Sequence, residues 1–272
     1  MHSLLPRRVL VAGVSTRAAA ESAARAGFAV TAIDAFGDLD QHTSVRSLSL
    51  QRDFGAPVST RAAARAARSI ECDAVAYLSS FENHPRAVSA LAAGRALWGN
   101  APAVLRCVRD PMIVARVLRS RGCAVPNASV ASGFSRTSVQ SPCEKIRLKP
   151  DITSLAEGRW LVKPLASGGG HRVRPWRPAT RVPRGCYLQE LVEGTPGSVV
   201  FVAAGGRAVP LGVSRQLVGE HAFGVTGYQY CGNILVAAGD AGDAALVDRA
   251  CARHPNEERA IHRRMVDTST CA

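Results

Sequence analysis

Three of the chain's 34 basic residues are lysines, at 145, 149 and 163, and the last stands where a lysine calls for an explanation. Lys163 lies inside the apolar run Trp160-Leu161-Val162-Lys163-Pro164, and four residues later come Ser167, Gly168, Gly169, Gly170 and His171. An ammonium group in an apolar strand is costly unless an anion compensates it. Consecutive glycines can turn several backbone N–H groups toward one concave point, and the two features together make a cradle for phosphate oxygens. In that reading Lys163 acts as a point charge on the phosphates and the loop closes over them. The lysine precedes the glycines and no Gly-Lys-Ser/Thr follows, so this is not a Walker loop. The alternative is an edge-strand lysine pointing to water, followed by a flexible hairpin.

Two further stretches carry chemistry. Gly185 to Phe201 reads as a strand, a short extended connector, a glycine break and another strand. Such a connector offers alternating backbone N–H and C=O groups beside apolar walls, which suits the edge and faces of adenine. Upstream, Ser79-Ser80-Phe81-Glu82-Asn83-His84-Pro85 falls at the carboxyl end of a predicted strand, where open α/β sheets place ligands. Glu82 and Asn83 there can take a substrate amine or amide; alternatively Asn83 caps the helix that begins at Pro85.

The elements that position these residues follow from periodicity. Arg8 to Val14 is a strand, Arg17 to Ala26 an alanine-rich helix stopped by Gly27, and Ala29 to Ile33 a second strand ending at Asp34, which makes a βαβ unit. Further strands fit Val45 to Leu50, Ala74 to Leu78 and Ala96 to Trp98, between helices at Thr60 to Ser69, with Ser59 as cap, and Pro85 to Ala93. Helices then open at Pro102 and at Asp110-Pro111, with Asp110 as N-cap. Ser198 to Ala203 and Ala208 to Val213 pair as a hairpin through Ala204-Gly205-Gly206-Arg207. Residues 133 to 157 read as irregular. A nicotinamide oxidoreductase is disfavoured: Val11-Ala12-Gly13-Val14-Ser15-Thr16-Arg17-Ala18 supplies one glycine where G-x-G-x-x-G needs three, although Asp34 stands where a ribose-binding acid would.

Composition narrows the class. With 272 residues, 47% of them hydrophobic and 20% charged, the chain can bury a sizeable core and is not a disordered tail. The net charge of +13 favours phosphates and other anions, yet the arginines are scattered among alanines and aromatics are 5%, so no nucleic-acid partner is expected. The eight cysteines never lie closer than 16 residues and form no C-x-x-C, which gives a zinc site no support. No leader and no 18-residue apolar stretch is seen, so the expectation is a cytoplasmic protein with reduced thiols and no membrane partner.

On W-L-V-K-P at 160 to 164, A-S-G-G-G-H at 166 to 171 and L-Q-E-L-V-E-G-T-P-G-S at 188 to 198, the chain resembles the ATP-grasp superfamily of ATP-dependent carboxylate-amine ligases. Within it, the sequence is similar to the carboligase-like subgroup found among genes for methanopterin or methanofuran type cofactors, which includes the ligase joining tyramine to glutamate. The resemblance implies an α/β fold: a Rossmann-like domain over 1 to 98, an ATP-grasp α+β module over 99 to 238, and an atypical tail over 239 to 272, as a frameshift or premature end would leave.

It also implies roles. Lys163 would contact nucleotide phosphates, Ser167 to His171 would be the mobile loop, Gln189 to Val192 the adenine hinge, and Arg215 a basic residue facing the transferred phosphate. Its alternative is a solvated strand arginine. ATP and Mg²⁺ are the implied cofactors, with a small-molecule carboxylate and amine as substrates. The carboxylate would attack the γ-phosphoryl group to give an acyl phosphate, which the amine then displaces; cationic clamps carry such chemistry.

Three departures stand out. Where relatives begin the linking helix with Asp-Lys, this chain has Asp110-Pro111, with Arg109 or Arg116 as stand-ins. No acid matches the ribose ligand past the hinge. No strand run after Ala238 supplies the late carboxylates that hold Mg²⁺, so no metal ligand is named and the module is expected to be truncated at its C-terminus. A catalytically incomplete nucleotide-binding or regulatory remnant is therefore the second reading.

Overall fold

A computed structural model describes residues 8–130, 159–178, 180–204 and 207–235. The chain divides into two compact units: the first takes Met1–Glu157, Pro164–Gly168 and Ala179–Gln189, the second Gly158–Lys163, Gly169–Pro178 and Glu190–Ala272.

The first unit is built on a five-stranded parallel sheet in the order β3-β2-β1-β4-β5, with β1 Arg8–Ala12, β2 Ala29–Asp34, β3 Val45–Ser49, β4 Ala74–Tyr77 and β5 Ala96–Trp98. Alternation in β1 sends Leu10 and Ala12 to one face and Val9 and Val11 to the other, and all four are buried. A sheet covered on both faces reads as a continuous apolar run, and here each face has its own core. On one, Leu10, Ile33, Val75, Phe81, Val88 and Leu91 pack together. On the other, Val9, Val11, Val30 and Val45 pack with Ala20 of helix α1 Arg17–Arg25.

Helices α2 Leu50–Phe54, α3 Thr60–Ala66 and α4 Pro85–Leu91 follow. Ser49 and Ser59 cap α2 and α3 by accepting from the N–H groups of Arg52 and Ala62. Then come α5 Pro102–Val108 and α6 Pro111–Ser120. Asp110 caps α6 as its sequence position requires, accepting from the N–H groups of Met112 and Ile113 at 2.9 and 3.2 Å.

Asp34 is not a ribose ligand in waiting. One carboxylate oxygen accepts from Thr16 N–H at 3.0 Å and Thr16 Oγ1 at 2.7 Å, the other from the N–H groups of Phe36 and Gly37 at 3.0 and 2.7 Å. Both oxygens are filled by protein donors and the side chain is buried. Gly13 likewise serves packing. A Cβ there would stand 2.9 Å from Leu78 Cβ and 3.3 Å from the Ser79 carbonyl, so the glycine lets the β1 and β4 ends approach, with Val14 N–H donating to Ser79 O at 2.7 Å. The two residues that invite a dinucleotide reading both have structural work.

β6 Ala128–Val130 pairs antiparallel with β9 Cys186–Glu190 through Ala128↔Gln189, Ser129↔Leu188 and Val130↔Tyr187. In the second unit, β7 Trp160–Pro164 pairs antiparallel with β8 Arg174–Pro175. A three-stranded antiparallel sheet runs β10-β11-β12, with β10 Gly197–Ala204, β11 Arg207–Val218 and β12 Tyr230–Leu235. The hairpin expected through 204–207 forms with Ala204 opposite Arg207. Its ladder slips between Val200 and Phe201, where Leu211 is the extra residue beside Pro210, which has no N–H to give. Among the described residues no helix is long and apolar enough to cross a membrane. The irregular reading of 133 to 157 and the atypical tail of 239 to 272 both lie outside the described residues.

Candidate functional site

In the first unit, β4 delivers its chain to a single 3-10 turn, Phe81–Asn83, anchored by Phe81, which is fully buried. Glu82 and Asn83 are then half-buried at the carboxyl end of the sheet. Asn83 does not cap α4, as one of its two readings had it: His84 takes the N-cap position, with no side-chain bond. Instead Asn83 Nδ2 donates to Glu82 Oε1 at 3.1 Å and Asn83 Oδ1 accepts from Arg109 Nη2 at 2.7 Å. The same Nη2 donates to the carbonyl of Ser167 at 2.8 Å. Arg109 thus joins the Glu82–Asn83 turn to the first residue of the glycine loop.

Arg109 is fixed from below. It is the C-cap of α5, its N–H donates to Leu105 O at 3.0 Å, and the next residue caps α6. Its charge also acts on Tyr187 of β9: burial pushes the phenol's pKa up, and the guanidinium pulls it part of the way back. Tyr187 OH in turn donates to Gln189 Oε1 at 3.3 Å.

In the second unit, Trp160, Leu161 and Val162 are buried and Lys163 is half-buried. Burial lowers the pKa of Lys163 below that of an ordinary lysine. The indole Nε1 of Trp160 is buried and finds no hydrogen-bond partner among the described residues.

Ser167 and Gly168 belong to the first unit and Gly169, Gly170 and His171 to the second. Gly168 and Gly169 have open space where a Cβ would go. Gly170 does not: with φ of +70° it lies against the carbonyl of Tyr228, which a Cβ would strike. Next to it Tyr230 N–H donates to Gly169 O at 3.0 Å. The third glycine is there for a close backbone approach as much as for a turn. His171 is exposed.

Of the four hinge residues, Leu191 has its N–H committed to Arg159 O at 2.7 Å, and Arg159 also ion-pairs with Glu193. Val192 is 63% exposed. Arg215 is exposed on β11, opposite Gly197 on one side and Ile234 on the other. Among the described residues no group of three or more His, Cys, Asp or Glu side chains could hold a metal ion.

Residues 114–248 match the ATP-grasp domain family, a little under half of the chain. No curated protein matches the chain in sequence. Solved structures share its fold at low identity. An N5-carboxyaminoimidazole synthetase from Staphylococcus aureus is 14% identical with a TM-score of 0.55, over 90% of this chain and 62% of that one. An L-amino acid ligase from Bacillus licheniformis is 16% identical with a TM-score of 0.50, over 90% and 58%. A carboxyaminoimidazole ribonucleotide synthase from Aspergillus clavatus, complexed with ATP, is 14% identical with a TM-score of 0.51, over 78% and 54%. The chain thus spans less than two thirds of the length of each of these three structures. The family match and the mixed α/β architecture together support the ATP-grasp superfamily.

Proposed function

We propose that the chain is an ATP-binding protein of the ATP-grasp type and acts as an ATP-dependent carboxylate-amine ligase. The observation that carries this reading is Lys163: a half-buried ammonium at the end of an apolar strand, four residues before a glycine loop. A partly desolvated ammonium beside a loop of N–H groups suits a phosphate group.

Within that reading Lys163 draws in the phosphates, and Ser167, Gly168, Gly169, Gly170 and His171 cover them. Glu190 and Val192 meet the adenine edge, since the Leu191 N–H is already committed. Gln189 stands behind them. Arg215 steadies charge on the transferred phosphoryl group. Glu82 and Asn83, at the sheet's carboxyl end, receive the acceptor substrate. A carboxylate oxygen attacks the γ-phosphorus, the β,γ-bridging bond breaks with ADP leaving, and an amine displaces phosphate from the resulting acyl phosphate to form an amide. Charge accumulates on phosphate oxygens in both steps, so positioned cations lower the barrier more than an acid–base pair does.

The test is ADP formation by the purified chain with ATP, Mg²⁺ and a panel of carboxylates and amines. ADP release that requires both a carboxylate and an amine supports the ligase reading. Nucleotide binding without release under any combination supports the incomplete, regulatory alternative, and no nucleotide binding contradicts both.

A further inference from the structure

We infer that Arg109 is a positioning residue that ties the start of the glycine loop to the Glu82–Asn83 turn, so that the two loops hold one register. The inference rests on the reading above only for calling these the nucleotide and acceptor loops; the tether itself stands on the geometry.

Three segments remote in sequence meet at one guanidinium. Arg109 Nη2 is shared between Asn83 Oδ1 at 2.7 Å and the Ser167 carbonyl at 2.8 Å, over sequence separations of 26 and 58 residues. Asn83 passes the connection to Glu82 through its own amide. The result is a continuous hydrogen-bonded chain, Glu82 to Asn83 to Arg109 to Ser167. Bonds from a charged donor are the stronger kind, and this donor's backbone is clamped between the end of α5 and the start of α6. Pre-organisation matters here because a glycine-rich segment loses more conformational freedom on ordering than any other, and a fixed anchor at its first residue lowers that cost. Nothing else among the described residues holds the Ser167 carbonyl.

The arrangement also makes a prediction that simple anion binding by Arg109 does not. A phosphate ligand would act only when phosphate is present, whereas a tether acts on the empty protein. Removing it frees the Ser167 carbonyl, and with it the start of the loop, before any nucleotide arrives.

The experiment is amide hydrogen exchange read by mass spectrometry on the ligand-free chain, for wild type, Arg109→Ala, Arg109→Lys, Asn83→Ala and, as a surface control, Arg119→Ala, whose guanidinium donates to Pro126 O at 3.1 Å. The expected result is exchange about three- to tenfold faster over Ser167 to Gly169 in Arg109→Ala, the range that loss of one or two exposed charge-assisted bonds gives. Arg109→Lys restores at least part of the protection, Asn83→Ala has a smaller effect in the same direction, and Arg119→Ala leaves this segment unchanged. Unaltered loop exchange in folded Arg109→Ala overturns the inference, as does an equal effect from Arg119→Ala. If Arg109→Ala fails to fold, Asn83→Ala carries the decision, with an unchanged loop overturning the tether. ADP affinity is measured separately. Faster exchange without ADP binding by wild type would sink the nucleotide reading and keep the tether; ADP binding with unchanged exchange would do the reverse.

Discussion

Oδ1 of Asn83 lies 2.7 Å from Nη2 of Arg109. With His84 at the N-cap of α4, that contact is where the asparagine's side-chain oxygen goes. A helix cap would have spent the side chain on its own backbone. Held by Arg109, it faces the carboxyl end of the parallel sheet with Glu82 and becomes part of a polar turn that touches the glycine loop's first residue.

Gly168 and Gly170 answer differently to the same substitution. Gly168→Ala enters open space and should change nucleotide affinity by less than about twofold. Gly170→Ala places a methyl against the Tyr228 carbonyl at a positive φ, and should weaken affinity by about tenfold or more, at the ~1–3 kcal/mol expected of a strained backbone site. Equal effects in a fluorescent-nucleotide titration would show that the loop does not rest on Tyr228.

Asp34→Ala removes a buried acceptor of four hydrogen bonds. Leaving those donors unpaired should cost about 3 kcal/mol or more in urea unfolding. The same change in a ribose-binding acid would spare stability and abolish dinucleotide binding, so a stable variant would reopen the nicotinamide reading.

Asp110→Ala should destabilise the first unit by about 1 kcal/mol, through loss of the two N–H bonds at the α6 N-terminus. Asp110→Asn should recover most of it. No loss on thermal unfolding would mean that the cap is idle.

Lys163 makes nucleotide binding depend on pH with a defined sign. Burial lowers its folded pKa below the unfolded value, so the charged form costs folding stability at all pH below the folded pKa, and the cost fades as pH rises through the folded and then the unfolded value. A bound phosphate favours the charged form. Affinity for ADP should therefore be highest at low pH and fall as pH rises, starting below the usual lysine range. A flat profile up to the ordinary lysine pKa would contradict the assignment.

The parallel sheet was legible because its strands are short apolar runs closed by glycine or a cap: β1 ends two residues earlier than its sequence pattern suggests, and β5 falls where predicted. The apolar pattern runs the third strand on to Leu50 and gives residues 51–54 no element, since a five-residue helix has no period to recognise, and only its Ser49 cap and Asp53 mark it. β12 went unread because Gly232 and Asn233 interrupt its apolar residues. Lys163 and the glycine loop stand out in the sequence by residue type and spacing alone. Arg109 did not, because its two acceptors lie 26 and 58 residues away and one is a backbone carbonyl, which no side-chain pattern encodes. The three glycines hinted at a close neighbour, but nothing local named Tyr228.

The central claim is that Lys163 is kept half-buried to meet phosphate. Lys163→Met, studied by ADP titration alongside thermal unfolding, tests it most directly. The account expects ADP affinity to drop by at least tenfold while the melting temperature holds or rises, since the cost of burying the charge is removed. Unchanged ADP affinity in the folded variant, or a loss of affinity explained by unfolding alone, would contradict it.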